Sequence, residues 1–89
     1  MPKIVITHSV ADVDTWLKGK SERAAAVGSM GAANVVDHVA EDGSKAIAIT
    51  FDVDDVRTVT KTLASPPAEM AEAMERHGVL PPLSVYVER

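Results

Sequence analysis

Cysteine is absent from this chain, which removes disulfides, thiol nucleophiles and thiolate metal sites at once. Aromatics are scarce, with one Trp, one Tyr and one Phe in 89 residues. Positive charge is also short: nine Lys and Arg against 13 Asp and Glu leave a formal net charge of −4. A nucleic-acid surface needs a basic stripe, and none is present. No apolar run approaches the ~20 residues of a membrane span. Met1-Pro2-Lys3 leads into a β-branched run rather than the apolar core of a signal peptide. These gaps point to a cytoplasmic protein with neither nucleic acid nor membrane as a partner.

What is present describes one small domain over residues 1–89. A chain of this size buries only ~60–65% of its unfolded surface and needs help to be stable. Disulfides are excluded. The three His residues, His8, His38 and His77, show no metal-ligand spacing, so no metal or other cofactor is expected. Oligomerisation remains as the stabilising device.

Along the chain, Lys3 to Val10 reads as a strand, because its β-branched residues are stiff at χ1 and favour a pleated surface. Asp12 caps a helix running to Val27, with Val13, Trp16, Leu17, Ala24 and Val27 on its apolar stripe. Gly19 weakens that helix by ~1 kcal/mol relative to Ala, and Gly28 ends it. Ala32 to Ala40 and Lys45 to Val53 form a hairpin around Glu41-Asp42-Gly43-Ser44. Asp54 caps a second helix, which Ser65-Pro66-Pro67 interrupts; a further helix ends at His77-Gly78, and Leu83 to Val87 is the last strand. The order β-α-β-β-α-β predicts an α+β, ferredoxin-like fold: a four-stranded antiparallel sheet in the order 4-1-3-2, with the helices on one face.

A turn at residues 41–44 sets His38 opposite Ile47, Val36 opposite Ile49 and Asn34 opposite Phe51. Opposite residues share a face, so Ile4, Ile6, His8, Asn34, Val36, His38, Ile47, Ile49, Phe51 and Val53 line one side of the sheet. This face reads as the wall of a ligand cavity, apolar with a few polar groups; a plain core is the alternative. Both faces carry apolar surface, whereas a sheet with one side in water alternates more cleanly. The face left bare by the helices is therefore expected to meet a second copy of the chain.

His8-Ser9-Val10-Ala11-Asp12 at the first strand exit and Trp16 in the first helix form a distinctive set with three later stretches, Thr50-Phe51-Asp52, Leu63-Ala64-Ser65-Pro66 and Met74-Glu75-Arg76-His77-Gly78-Val79. On these residues the chain resembles the dimeric α/β-barrel superfamily over essentially its whole length. The superfamily includes antibiotic-biosynthesis monooxygenase-like and stress-responsive barrel domains. Its members pair two ferredoxin-like sheets across a homodimer, with a pocket in each subunit between sheet and helices. The haem-degrading branch uses an Asn on its first strand, an aromatic at the end of its third strand and a His ligand on its second helix. Here those positions hold His8, Phe51 and Glu75, with His77 two residues late, so haem is not implied. The monooxygenase branch's Asn-Trp-Arg set has no match on shared elements, since Asn34, Trp16 and Arg23 are dispersed.

The topology brings His8, His38, Trp16 and His77 to one end of the sheet. With Phe51 they form the candidate ligand-binding set: His8 and His77 as titratable groups and Trp16 as a pocket wall or core anchor. The reading is a homodimer binding a small apolar or aromatic ligand. A cofactor-independent monooxygenase or cyclase acting on an aromatic, polyketide-like substrate, with His8 as acid/base, is the alternative. A module that binds a partner along its sheet edges is the third.

Overall fold

The computed structural model describes residues 1–89. Its element order is β1 (Lys3–Val10), α1 (Val13–Lys18), α2 (Lys20–Gly28), β2 (Ala33–Val39), β3 (Ala46–Asp52), α3 (Val56–Ala64), α4 (Ala68–Arg76) and β4 (Val79–Val87). The strands form one antiparallel sheet in the order β2-β3-β1-β4, the expected order seen from the other edge. The β-branched run of β1 lies between β3 and β4, with Ile4, Ile6 and Val10 buried on its inner side.

The helices cover the face built by Ile4, Ile6, Ile47, Ile49, Phe51 and Val53. Two clusters fill the core there. Ile4, Ile6, Val27, Ile49, Phe51, Val53 and Val59 form the larger, while Val10, Trp16 and Ile47 form the smaller at the strand exits. Each fully buried large side chain contributes roughly 1.5–3 kcal/mol by removal from water.

Four local expectations are corrected. The first helix breaks at Gly19, which caps both α1 and α2, and Leu17 is turned outward at 38% exposure. The second helical region is capped by Asp55, not Asp54: its carboxylate accepts from the Thr58 N–H at 3.1 Å and from the Thr58 hydroxyl. β4 starts at Val79 and runs through Pro81-Pro82, because a register shift opposite Thr7 to Ser9 relieves the ladder of the missing N–H groups.

The hairpin register is the fourth. Val39 pairs with Ile47, His38 with Ala48 and Asp37 with Ile49. The Ala40 N–H bonds the Ala46 carbonyl, so the turn spans residues 41–45. The expected alignment survives at Ala33 opposite Asp52, and an irregularity between Ala33 and Val36 absorbs the extra residue. Asn34 lies inside it at φ 55°, a left-handed conformation that Asn tolerates better than most residues. A one-residue slip inverts every side chain of a strand. Asp37 therefore turns toward the helices, and Val36 and His38 turn to the bare face.

Candidate functional site

Between the sheet, α2, α3 and α4 lies a cavity of about 370 Å³. Ile6, His8 and Ile49 form its floor, and Met30, Leu63, Met70, Met74 and Leu83 supply apolar walls. Glu22, Arg23 and His77 join His8 as polar lining. One sheet face thus serves both expected purposes: Phe51, Ile4 and Val53 are closed core, while Ile6, His8 and Ile49 reach the cavity.

His8 is half-buried near the end of β1. Its Nδ1 lies 2.9 Å from the Ser9 carbonyl oxygen; a carbonyl only accepts, so Nδ1 carries the proton and Nε2 keeps a lone pair. Burial holds the imidazole pKa below its ordinary value, the Arg23 charge lowers it further, and the bond to Ser9 opposes both. The ring stands edge-on to Trp16, with centroids 6.3 Å apart and planes at 83°.

Trp16 supports the site from behind. It is fully buried with Val10 and Ile47 and does not border the cavity. The Arg23 guanidinium lies 4.0 Å from its ring centroid, a cation–π contact. Nη1 of Arg23 donates to the Trp16 carbonyl at 2.6 Å and to His77 Nδ1 at 3.3 Å, while Nη2 reaches Asp37 at 3.2 Å. Because arginine only donates, His77 Nδ1 is an acceptor. The remaining His77 N–H, on Nε2, then donates to Glu22 at 3.2 Å. Glu22 also pairs with Arg76; hydrogen bonding from His77, then the Arg76 charge, lowers its carboxyl pKa.

His77 is 6% exposed, and its burial depends on Gly19. A Cβ at that position would stand 2.5 Å from His77 Nε2, so the glycine that breaks the first helix also makes room for the ring. The remaining buried polar atoms of the cluster, Trp16 Nε1, Arg23 Nε and Asp37 Oδ1, have no protein partner.

Of the five expected site residues, the structure brings His8 and His77 to the cavity. Trp16 lies behind it, and Phe51 lies in the core at 0% exposure. His38 is on the opposite face, bonded to Thr50 at 3.1 Å, as the register shift requires. Arg23, Glu22 and Asp37 escape an apolar-pattern reading because each is charged. The available signal is Asp37 itself, a carboxylate between Val35 and Val39 on one side of a strand, which calls for a buried cation.

No family model matches the sequence, and no curated protein matches it. Among solved structures, the fold is shared with a protein of Bordetella bronchiseptica at TM-score 0.70 and 15% identity, covering 99% of this chain and 94% of that one. A Deinococcus radiodurans protein aligns at TM-score 0.59 and 15% identity, covering 100% and 91%. Both carry the name "putative antibiotic biosynthesis monooxygenase". The likeness is one of fold, and at that level it agrees with the ferredoxin-like architecture expected from the sequence.

Proposed function

We propose that this chain is a small-molecule-binding protein whose cavity takes an apolar or aromatic ligand, and that it works as a homodimer. The cavity between sheet and helices carries the reading. Its volume of about 370 Å³ falls in the lower part of the ~300–1,000 Å³ range of ligand sites, which combine apolar walls with few polar groups. The bare sheet face supports the dimer: Val36 is 47% exposed and Tyr86 59% exposed, and Thr50 and Val5 lie between them in register.

Titration with a panel of two- and three-ring aromatic compounds tests the binding reading. Trp16, the sole Trp, touches Arg23 and His8 and so reports occupancy by fluorescence. Saturable quenching with one site per chain is expected. No calorimetric or fluorescence response across the panel would remove the proposal.

A second reading, a cofactor-independent oxygenase or cyclase, is favoured by one atom. His8 Nε2 is an acceptor held on the cavity side of the sheet by the bond at Nδ1, the arrangement a general base needs. Oxygen uptake, or ring closure followed by mass spectrometry, on a compound already shown to bind separates this reading from simple binding.

A further inference from the structure

The polar side of the cavity has used up most of its donors and kept its acceptors. The His8 Nδ1–H is given to the Ser9 carbonyl. The His77 Nε2–H goes to Glu22, and the Ser29 hydroxyl donates to the Ala26 carbonyl. Arg23 directs Nη1 to the Trp16 carbonyl and His77, and its Nη2 faces the Asp37 carboxylate. Its Nε, like the Trp16 indole N–H, is fully buried without a partner and offers no surface to a ligand. The acceptors are in the opposite condition. His8 Nε2 has no protein partner, and the Glu22 oxygens retain lone pairs beyond those used by Arg76 and His77. Glu69 adds a second carboxylate to the lining. Charge points the same way, since the single cation bordering the cavity, Arg23, is already paired with buried Asp37.

From this census we infer that the cavity selects aromatic or apolar molecules whose polar end is a hydrogen-bond donor, a hydroxyl or an amine, and discriminates against carboxylates. The inference deepens the proposed small-molecule reading and rests on it. The donor's partner is His8 Nε2, and Glu22 is a second acceptor in the same lining. A carboxylate head group would meet the lone pair of His8 Nε2 and the carboxylates of Glu22 and Glu69, with no free cation to offset its desolvation. An ether of the same shape would fit but leave His8 unpaired, losing the net value of one hydrogen bond.

Three naphthalenes of similar size make the test by isothermal titration calorimetry near neutral pH: 2-naphthol, 2-methoxynaphthalene and 2-naphthoate. The naphthol should bind about three- to tenfold more tightly than the ether, as expected for one hydrogen bond. The naphthoate should be the weakest of the three. In His8→Phe, which keeps a ring but removes the acceptor, the naphthol should lose its advantage while the ether holds its affinity. If the naphthoate or the ether binds wild type as tightly as the naphthol, the cavity stands and donor selection is wrong. If none of the three binds, the cavity reading falls and takes donor selection with it.

Discussion

Gly19 and His77 compete for the same space, so the usual arithmetic of helix propensity reverses at this position. Gly19→Ala should gain up to ~1 kcal/mol of backbone propensity, but its methyl would sit on the His77 ring at 2.5 Å. Overpacking of this kind costs ~1–3 kcal/mol, and a net loss is expected in urea denaturation. Adding His77→Ala removes the clash, so the double variant should be more stable than the sum of the two losses implies; strict additivity would refute the contact. His8 makes a different prediction, one set by pH. Its folded-state pKa is lowered, chiefly by burial, so below ~6.5 the unfolded chain takes up protons that the native ring resists. The stability associated with neutral His8 is therefore complete above that pH and declines as pH falls toward the folded-state value. The carboxyls of Asp12, Asp52 and Asp55, lowered mainly by hydrogen bonds from Thr15, Asn34 and Thr58, act in a separate and more acidic window. Urea midpoints from about pH 7.5 to about pH 5 should fall less steeply for His8→Asn than for wild type.

At the scale of elements, much of the structure is legible because periodicity and punctuation agree. The run Lys3–Val10, the capping carboxylate of Asp12, the Gly43 turn and the break at Ser65-Pro66-Pro67 each have one local solution. What is not legible turns on single residues of offset. Asp54 and Asp55 are equally good caps by type, and only the observed start of α3 at Val56, with Asp55 accepting from Thr58, decides between them. Asp55→Ala should cost about 1 kcal/mol and Asp54→Ala much less, as read from thermal unfolding. The hairpin is the larger case. Its two ends obey different alignments, reconciled at Asn34, and no strand pattern announces such an irregularity in advance. A β-branched residue is strained at that φ, so Asn34→Val should be destabilising by roughly 1–2 kcal/mol, whereas Asn34→Gly should be close to neutral. Arg23 was hidden for the opposite reason. In the single helix that the sequence suggests, positions 16, 23 and 27 fall on one face, but a charged residue is sorted outward by any apolar-stripe argument.

For the whole molecule, the register decides which residues are available to a second copy. Val36 and His38 join Val5, Thr50 and Tyr86 on the bare face, while Ile47, Ile49 and Phe51 stay under the helices. Sedimentation at micromolar concentration should therefore give about twice the 9.4 kDa chain mass. A charge placed on the bare face, Tyr86→Asp or Val36→Asp, should produce monomer with its circular dichroism intact. Ile49→Asp, at a 5% exposed core position, should instead unfold the chain. A wild type that sediments as a stable folded monomer would end the dimer proposal.

Helix α4 contains no fully buried residue, and Met70, Ala73 and Met74, its half-buried inward side, all border the cavity. Ligand atoms in that space would act toward α4 as core side chains act toward the other helices, so occupancy and local order become one equilibrium. Amide hydrogens of α4 should exchange through local opening more readily than those of β1, and should slow selectively when the cavity is occupied. Saturation at about 100 times Kd would add about 2.7 kcal/mol to global stability. The helix that roofs the cavity thus serves as its occupancy gauge, readable amide by amide before any ligand has been identified by its chemistry.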